Sequence, residues 1–316
     1  MSKIMFVGDI HLSGIAPASR KESNEDYRKT LLNKLDNILK ICIDNEVTDV
    51  IILGDVFNNN SSISNYFETD IWKRFLNFKD YNIKVHTIIG NHDMIFQNDE
   101  EFKGSYLYKA FLAGILNHLT SIKIDDVYIK GFDYNRDFVQ CEDYCRYSIC
   151  VAHSFYENIM FGGVGNSNLT DEKCIDLSYN AYVLGHDHTQ YDDFNNGKYV
   201  VIRPGSLTRG TSKTCNLYRD VRVSMFDTSN LSWSSIVVPT KPGNEAFKEK
   251  VFIEKSLELN IDKLLENFSY SKDMGLYDII DSRENIGRDL LKEDYDGVIN
   301  IITNYCESVG IYRRGI

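Results

Sequence analysis

The sequence predicts an α/β fold in which two packed sheets are flanked by helices, followed by a small, mainly helical C-terminal region. Up to residue 120, apolar β-rich runs that end in glycine alternate with helix-like stretches; the clearest runs are 4–8, 50–54 and 85–90. Short alternating strands continue to about residue 238, and helical spacing replaces them beyond residue 244. Strands on both sides of a helical middle are typical of two sheets with helices packed outside them.

The helical stretches follow from the spacing of their apolar side chains. Residues 24–46 carry apolar side chains at helical spacing, and Asn24 is the predicted N-cap. Two further helices are predicted over residues 65–78 and 106–118. The helix over residues 24–46 is expected to be a crossover between the first two strands.

The second half of the chain is predicted to be strand-rich up to a short linker. Residues 239–243 contain two of the four prolines and indicate that linker. The predicted organisation is a main domain over 1–238, the linker, and a small capping or partner-binding region over 244–316. The predicted later strands are 122–124, 127–129, 149–152, 181–184, 199–202, 221–226 and 233–238.

Composition limits the classes of function. A net charge of −11 argues against a surface that binds nucleic acid throughout, so any DNA contact must be local, metal-assisted or shared with a partner. The seven cysteines include no Cys-x-x-Cys pair, which favours reduced thiols over a zinc site. No apolar run approaches the roughly 20 residues of a membrane span, and no secretion signal opens the chain. We therefore expect a cytoplasmic protein without a membrane partner.

Polar side chains that can bind a metal follow the apolar runs where each run ends. Asp9 and His11 follow the first run and lie on the same side of it, because side chains alternate along a strand. Ligands of open α/β sheets bind beyond the carboxyl ends of the strands. Equivalent positions at later strand ends hold Asp55, then Asn91, His92 and Asp93, then His153, and finally His186 and His188.

Five of the seven histidines lie at these strand ends. A lone histidine is more often a surface residue or a satisfied core residue, and we keep that interpretation for His86 and His118. Five histidines together at strand ends favour a metal site. Mixed carboxylate, imidazole and amide ligands suit manganese, iron or zinc better than calcium.

The ordered motifs resemble those of the calcineurin-like metallophosphoesterase superfamily over about residues 3–210. They are Asp9-x-His11, Gly54-Asp55, Gly90-Asn91-His92, His153 and Gly185-His186-x-His188. The resemblance implies a two-sheet metallophosphoesterase sandwich with two divalent metal ions, of which Mn²⁺ is favoured. It further implies that Asp9, His11 and His188 hold one metal, that Asn91, His153 and His186 hold the other, and that Asp55 bridges them. His92 would then lie beside the scissile phosphate.

One position departs from the pattern of that superfamily. Many relatives carry an aspartate three residues after the bridging one, where this chain has Asn58. An asparagine cannot stabilise an imidazolium with a full charge. Asp93 is the candidate catalytic residue that would supply this charge to His92, and a structural role in the turn is the alternative.

A narrower resemblance is to the SbcD-type recombination and repair nucleases. It depends on residues 4–12, on Asn91-His92-Asp93 and on the segment Pro204-Gly205-Ser206-Leu207-Thr208-Arg209, for which a simple turn is the alternative. Arg203 and Arg209 are predicted either to contact phosphate or to lie on the surface.

The narrower resemblance implies a DNA exonuclease and endonuclease that acts with an SbcC-type ATPase, which the C-terminal region would bind. The chain contains no Gly-x-x-x-x-Gly-Lys-Ser/Thr loop, so ATP hydrolysis would belong to that partner. A homodimer is left open. The alternatives are a phosphatase or cyclic-nucleotide phosphodiesterase of the same fold, and an inactive scaffold.

Overall fold

The computed structural model describes residues 1–58, 63–94, 102–141, 145–156, 169–211 and 214–248. The chain divides into two units, Met1–Lys255 and Ser256–Ile316, and the described residues belong to the first. Most of the predicted C-terminal region, from residue 249 onward, lies outside the described residues, so the domain boundaries stay predictions. Within the described part, no helix has both the length and the apolar character needed to cross a bilayer.

The described residues form strands and helices that alternate along most of the chain. The strands are β1 (Lys3–Val7), β2 (Val47–Ile52), β3 (Lys84–Thr87), β4 (Asn117–His118), β5 (Ser121–Ile124), β6 (Val127–Phe132), β7 (Tyr147–His153), β8 (Ala181–Gly185), β9 (Phe194–Asn195), β10 (Val200–Ile202), β11 (Arg222–Asp227) and β12 (Ser232–Val237). The helices are α1 (Asn24–Asp44), α2 (Asn65–Asp80), α3 (Tyr106–Leu112), α4 (Asp171–Leu177), α5 (Thr214–Tyr218) and α6 (Gly243–Ala246), and a 3₁₀ turn covers Asn91–Asp93.

These strands form two six-stranded mixed sheets. The first has the order β12-β11-β1-β2-β3-β4, and the second has the order β5-β6-β7-β8-β10-β9. In the first sheet β1, β2, β3 and β4 are parallel, while β11 runs antiparallel to β1. In the second sheet β6, β7, β8 and β10 are parallel. The carboxyl ends of the parallel strands in each sheet therefore meet at a common edge.

The core lies between the sheets and beneath the helices. Side chains of β1 alternate: Ile4 and Phe6 pack with Val151 and other side chains of the second sheet, whereas Met5 and Val7 pack in the cluster that contains the apolar faces of α1 and α2. A third cluster joins the outer face of the second sheet to α4. Each fully buried aliphatic side chain contributes roughly 1.5–3 kcal/mol. The predicted two-sheet sandwich with flanking helices is confirmed.

Two local predictions were wrong. The N-cap of α1 is Ser23, whose side chain accepts the Asp26 N–H, whereas the Asn24 side chain accepts the Ala16 N–H. The helix predicted over 106–118 ends at Leu112, because Gly114 has φ 60° and the chain then enters β4. Pairing of β4 with β3 overrides the apolar spacing that favoured a longer helix.

The chain returns to the main body directly after the predicted linker. Phe247 is buried with Leu217 and Ala246 in a small cluster. The Ala246 carbonyl accepts the Lys21 N–H at 3.1 Å, and Phe247 pairs with Arg20 in an isolated antiparallel bridge. The described residues of α6 are thus tied to the loop that precedes α1.

Candidate metal centre

Five separate segments bring the predicted ligands to one edge of the sandwich. They follow β1, β2, β3, β7 and β8, and each contributes side chains just beyond or at the strand end. The loops after β1 and β2 are joined by backbone hydrogen bonds: the His11 N–H donates to the Asp55 carbonyl at 2.8 Å, and the Leu12 N–H donates to that of Val56 at 2.9 Å. This ladder holds His11 and Asp55 side by side.

A first group consists of Asp9, His11, Asp55 and His188, each of which offers a ligand atom within 4.8 Å of the others. The two imidazole Nε2 atoms of His11 and His188 are 2.8 Å apart. His188 Nε2 is 3.4 Å from Asp9 Oδ2, and His11 Nε2 is 3.6 Å from Asp55 Oδ2. Four ligands of this kind converge as a divalent cation requires.

A second group lies on the other side of Asp55. His153 Nε2 is 3.3 Å from Asp55 Oδ2 and 3.0 Å from Asn91 Oδ1. The rings of His153 and His186 are 4.9 Å apart between centroids. The Asp9 carboxylate accepts the backbone N–H of His186 at 3.1 Å, which links the second group to the first. Asp55 Oδ2 therefore lies between the two groups.

The donor atoms of the second group fit a cation. His153 Nδ1 donates to the Leu53 carbonyl at 2.7 Å, so the Nε2 lone pair of the ring, once deprotonated, is directed toward the other ligands. Asp55 is 1% exposed, and its Oδ2 atom accepts no hydrogen bond from the described residues. A positive charge, either a proton on His153 or a metal cation, stabilises the buried oxygen and the imidazole nitrogen that face each other.

The electrostatics of the chain without bound metal also favour a cation at this site. Burial disfavours imidazolium and lowers the pKa of both His11 and His186 to about 4, so both are neutral ligands at neutral pH. Burial acts on His153 in the same direction, but the neighbouring Asp55 carboxylate outweighs it and raises the pKa of His153 to about 10. Burial would raise the pKa of Asp55, yet its histidine neighbours hold that pKa well below its usual range. The pocket attracts positive charge.

Metal binding is expected to release a proton from His153. The pKa of about 10 means that metal-free His153 is protonated at pH 7.5, and a metal ligand must be neutral. We expect release of about one proton, and an apparent metal affinity that rises on the order of tenfold per pH unit between about pH 7 and 9. Calorimetric titration with Mn²⁺ in buffers of different ionisation enthalpy measures both quantities. A pH-independent affinity over this range would contradict the expectation.

His92 lies next to the first group and is partly exposed. Its backbone N–H donates to Asp55 Oδ1 at 2.7 Å. Its ring meets that of His11 edge-on, with centroids 4.8 Å apart and planes at 87°. Asp55 and His92 are therefore joined through the main chain of His92, and the His92 imidazole lies beside the ligand cluster.

Asp93 is fully buried and accepts three backbone hydrogen bonds. Its Oδ1 accepts from Phe57 N at 2.9 Å, and its Oδ2 accepts from Gly90 N at 3.0 Å and Val56 N at 3.3 Å. Burial and the nearby Asp55 charge nevertheless raise the pKa of Asp93 to about 8. These contacts hold the turn of Asp55 against that of His92, and they favour the structural alternative for Asp93.

Replacement of Asp93 by asparagine is expected to destabilise the fold. The amide group would place an N–H donor against at least one backbone N–H donor of Phe57 or Gly90, and an unsatisfied buried donor costs about 1–3 kcal/mol. Urea unfolding of the metal-free protein at about pH 9, above the pKa of about 8 for Asp93, gives the free energy of unfolding for both chains. Asp133→Asn is the comparison, because Asp133 accepts the backbone N–H of Ile89 and also contacts His118. Equal stability of Asp93→Asn and the native chain would argue against this role.

The segment after β10 supports the first group from behind. The Leu207 N–H donates to the Asp9 carbonyl at 2.9 Å, and the Ser206 N–H donates to the His188 carbonyl at 3.2 Å. The segment is therefore more than a surface turn. Arg209 is 3% exposed, so of the two alternatives for this residue the surface position was wrong. The Arg203 guanidinium lies 3.9 Å from the ring centroid of Tyr191.

The sequence analysis did not predict the strained backbone of the site or the aromatic residues that lie against it. His11, Asp55 and His186 all have positive φ, at 50°, 49° and 82°. Such conformations are costly and concentrate at functional sites. Phe155 and Tyr134 lie against the His186 ring at centroid distances of 4.3 and 5.4 Å. Phe155 could have been found from its position two residues after His153, whereas Tyr134 carries no such signal.

The fold and the site together define the class of protein. A two-sheet α/β sandwich with a carboxylate and imidazole cluster at its strand ends, consistent with divalent metal binding, is a metallophosphoesterase hydrolase. The family model of the calcineurin-like phosphoesterases matches residues 2–190, and the chain belongs to this family.

Similar proteins extend the comparison. The chain is 22% identical over 331 aligned positions to the DNA double-strand break repair protein Mre11 of Sulfolobus acidocaldarius, and the alignment covers 99% of this chain and 83% of that protein. Among solved structures, a Thermus thermophilus protein has a TM-score of 0.46 and 10% identity, over 75% of this chain and 99% of its own. A dimetal phosphatase from Danio rerio has a TM-score of 0.44 and 12% identity, over 75% and 99%.

Proposed function

We propose that this chain is a manganese-dependent DNA nuclease subunit that hydrolyses phosphodiester bonds in recombination or repair. The observation that carries the proposal is its likeness to an Mre11 repair protein, because that likeness extends over 99% of the chain and is not restricted to the family domain. The relation of the segment after β10 to Asp9 and His188 supports it, since this segment also carried the resemblance to SbcD-type nucleases.

The proposed roles follow the two groups of ligands. One cation would be held by Asp9, His11 and His188, and the other by Asn91, His153 and His186. Asp55 would bind both cations. Two such ions, when bound, supply an activated water and stabilise charge on the phosphate. His92 would donate a proton to the leaving oxygen or stabilise the charge that develops there. Asp93 would act as a positioning residue, because its carboxylate is engaged by three backbone N–H groups.

Partners are part of the proposal. DNA would bind locally at the metal centre, because a net charge of −11 leaves little basis for a broad nucleic-acid surface. An SbcC-type ATPase would supply ATP hydrolysis, and a homodimer is compatible with the same assembly. The region 244–316 would contact the ATPase.

A phosphatase or a cyclic-nucleotide phosphodiesterase is the alternative within the family, and the same metal centre serves either. An inactive scaffold is disfavoured by the geometry, because a chain without selection for metal binding would not be expected to retain buried, mutually facing ligand atoms.

The deciding experiment compares substrates on one preparation. The purified full chain with Mn²⁺ is incubated with end-labelled duplex DNA, single-stranded DNA, a cyclic nucleotide and bis-p-nitrophenyl phosphate, each with and without its ATPase partner. We expect DNA cleavage that requires Mn²⁺ and is lost on chelation. His92→Ala, purified in parallel, controls for contaminating nucleases. Hydrolysis of the small phosphoesters alone, even with the partner present, would reject the nuclease proposal and retain the phosphoesterase.

A further inference from the structure

Residues 206–208 lie behind the metal centre and donate two backbone hydrogen bonds to one of its ligands. The Asp9 carbonyl accepts the Leu207 N–H at 2.9 Å and the Thr208 N–H at 3.4 Å. Ser206 and Leu207 are fully buried, and Thr208 is 2% exposed. The position of the Asp9 main chain therefore depends on how these two peptide groups are held.

Each of the two peptide groups accepts a hydrogen bond from a basic side chain at its carbonyl. The peptide group that carries the Leu207 N–H contains the Ser206 carbonyl, which accepts Arg219 Nη2 at 2.6 Å. The peptide group that carries the Thr208 N–H contains the Leu207 carbonyl, which accepts Lys34 Nζ at 2.8 Å. Hydrogen bonds in a chain polarise one another, so a donor at the carbonyl strengthens the bond that the N–H makes. Both basic side chains therefore act on the one carbonyl that accepts from these peptide groups.

The chain of peptide groups continues from Asp9 to Asp55. The Asp9 carbonyl and the Ile10 N–H belong to one peptide group, and the Ile10 N–H donates to the Asp55 carbonyl at 3.2 Å. A second branch starts at Ser206, whose N–H donates to the His188 carbonyl at 3.2 Å. Three of the four ligands of the first group are thus joined through the main chain to the segment that the two basic side chains hold.

Both basic side chains are themselves fixed in place. Arg219 Nε donates to Asn216 Oδ1 at 3.0 Å, and Arg219 Nη2 also donates to Ser206 Oγ at 3.0 Å. Lys34 is only 5% exposed, and burial lowers the pKa of its ammonium group well below the usual range. Burial of an amine is costly, so a contact that served packing alone would be better made by an apolar side chain.

From these contacts we propose that Arg219 and Lys34 are positioning residues of the metal centre. They fix the backbones of Asp9 and His188, so that the ligand atoms keep the spacing that a divalent cation requires. They are not ligands, and they act through peptide groups. Outer partners of this kind orient metal ligands, and their loss typically lowers metal affinity or activity about 10- to 100-fold. The inference rests on the proposed metal site and is independent of which phosphoester is hydrolysed.

The test measures the overall affinity for Mn²⁺, taken over both binding steps, by calorimetric titration of the metal-free full chain. Arg219→Met removes the donors and keeps much of the apolar length of the side chain, and it should lower the overall affinity at least about tenfold. Arg219→Lys retains a donor for the Ser206 carbonyl and should restore part of the loss. Lys34→Met should lower the affinity several-fold, because the Leu207 carbonyl loses its donor.

Lys3→Met is the matched control. Lys3 Nζ donates to the Asn45 carbonyl at 3.0 Å, so this variant loses the same kind of hydrogen bond as Lys34→Met, at the opposite end of β1 from Asp9. It should keep the native Mn²⁺ affinity within about twofold, as expected for a distant site. The Tm of each metal-free variant is measured in parallel, so that a change in metal affinity can be compared with the change in stability.

Arg219→Lys and Lys34→Met keep the test decisive if Arg219→Met fails to fold. Native affinity in the variants of Arg219 and Lys34 would overturn the inference. An equal loss of affinity in Lys3→Met would also overturn it, because the effect would then follow general stability. A native chain that binds no Mn²⁺ would reject the metal site itself and the inference with it.

Discussion

Asp55→Ala is expected to abolish hydrolysis and to lose bound metal. Asp55 Oδ2 faces His11 on one side and His153 on the other, at 3.6 and 3.3 Å, so its removal opens both groups of ligands at once. It also leaves His11 and His153 without their nearest carboxylate. We expect activity to fall by at least about 1,000-fold, in line with the charge stabilisation that a paired-metal site provides.

The measurement for Asp55→Ala is metal content by mass spectrometry together with Mn²⁺-dependent hydrolysis of bis-p-nitrophenyl phosphate. Asp55→Asn serves as the matched variant, because an amide oxygen can still accept the His92 N–H that Asp55 Oδ1 accepts at 2.7 Å. It should fold normally and still bind metal more weakly than the native chain. Native metal content in Asp55→Ala would refute the central position assigned to Asp55.

His92→Ala is expected to separate metal binding from catalysis. The link between His92 and Asp55 runs through the His92 backbone N–H, which alanine retains, so the ligand groups should keep their geometry. The lost imidazole lies beside the His11 ring, with centroids 4.8 Å apart. Loss of a positioned proton donor typically lowers the rate about 100- to 10,000-fold. We expect a decrease of that size in kcat with metal content unchanged.

The control for His92→Ala is His118→Ala. His118 pairs with Asp133 at 3.0 Å on β4, outside both ligand groups, and its loss should leave hydrolysis within about twofold of the native rate. Metal content and the pH profile of kcat are measured for both variants. Full turnover by His92→Ala would show that another group performs the proton transfer.

The proximity of the candidate ligands could be predicted in part, because some of its signals are local. The candidate ligands follow the ends of the strands, as predicted, but β1 ends at Val7 and His11 has φ 50°, so the loop conformation and not strand alternation brings Asp9 and His11 to one side. The same reasoning applied at four later strand ends, and the structure brings His153 and His188 to within 3.4 Å of the Asp55 and Asp9 carboxylates, respectively. The resemblance to the phosphoesterase motifs added the expected pairing of ligands, which strand ends alone do not provide.

Other features depended on contacts between distant parts of the chain. The end of α3 at Leu112 is set by Gly114 and by the pairing of β4 with β3, and neither is visible in apolar spacing. The carboxylate of Asp93 could have turned toward His92 or into the turn, and only the positions of Val56 and Phe57 show what it accepts.

The sequence by itself determined the fold class and the strand ends that carry candidate ligands, because strand periodicity and strand termination are properties of neighbouring residues. The family was expected from the resemblance of the ordered motifs. Tertiary structure alone decided that Asp55 lies between the two ligand groups, that Asp93 holds two turns together, and that Arg209 is buried beside a cavity. Those outcomes depend on which atoms meet through space and on the burial that results. The pattern of neighbouring residues in the sequence predicts neither the contacts nor the burial.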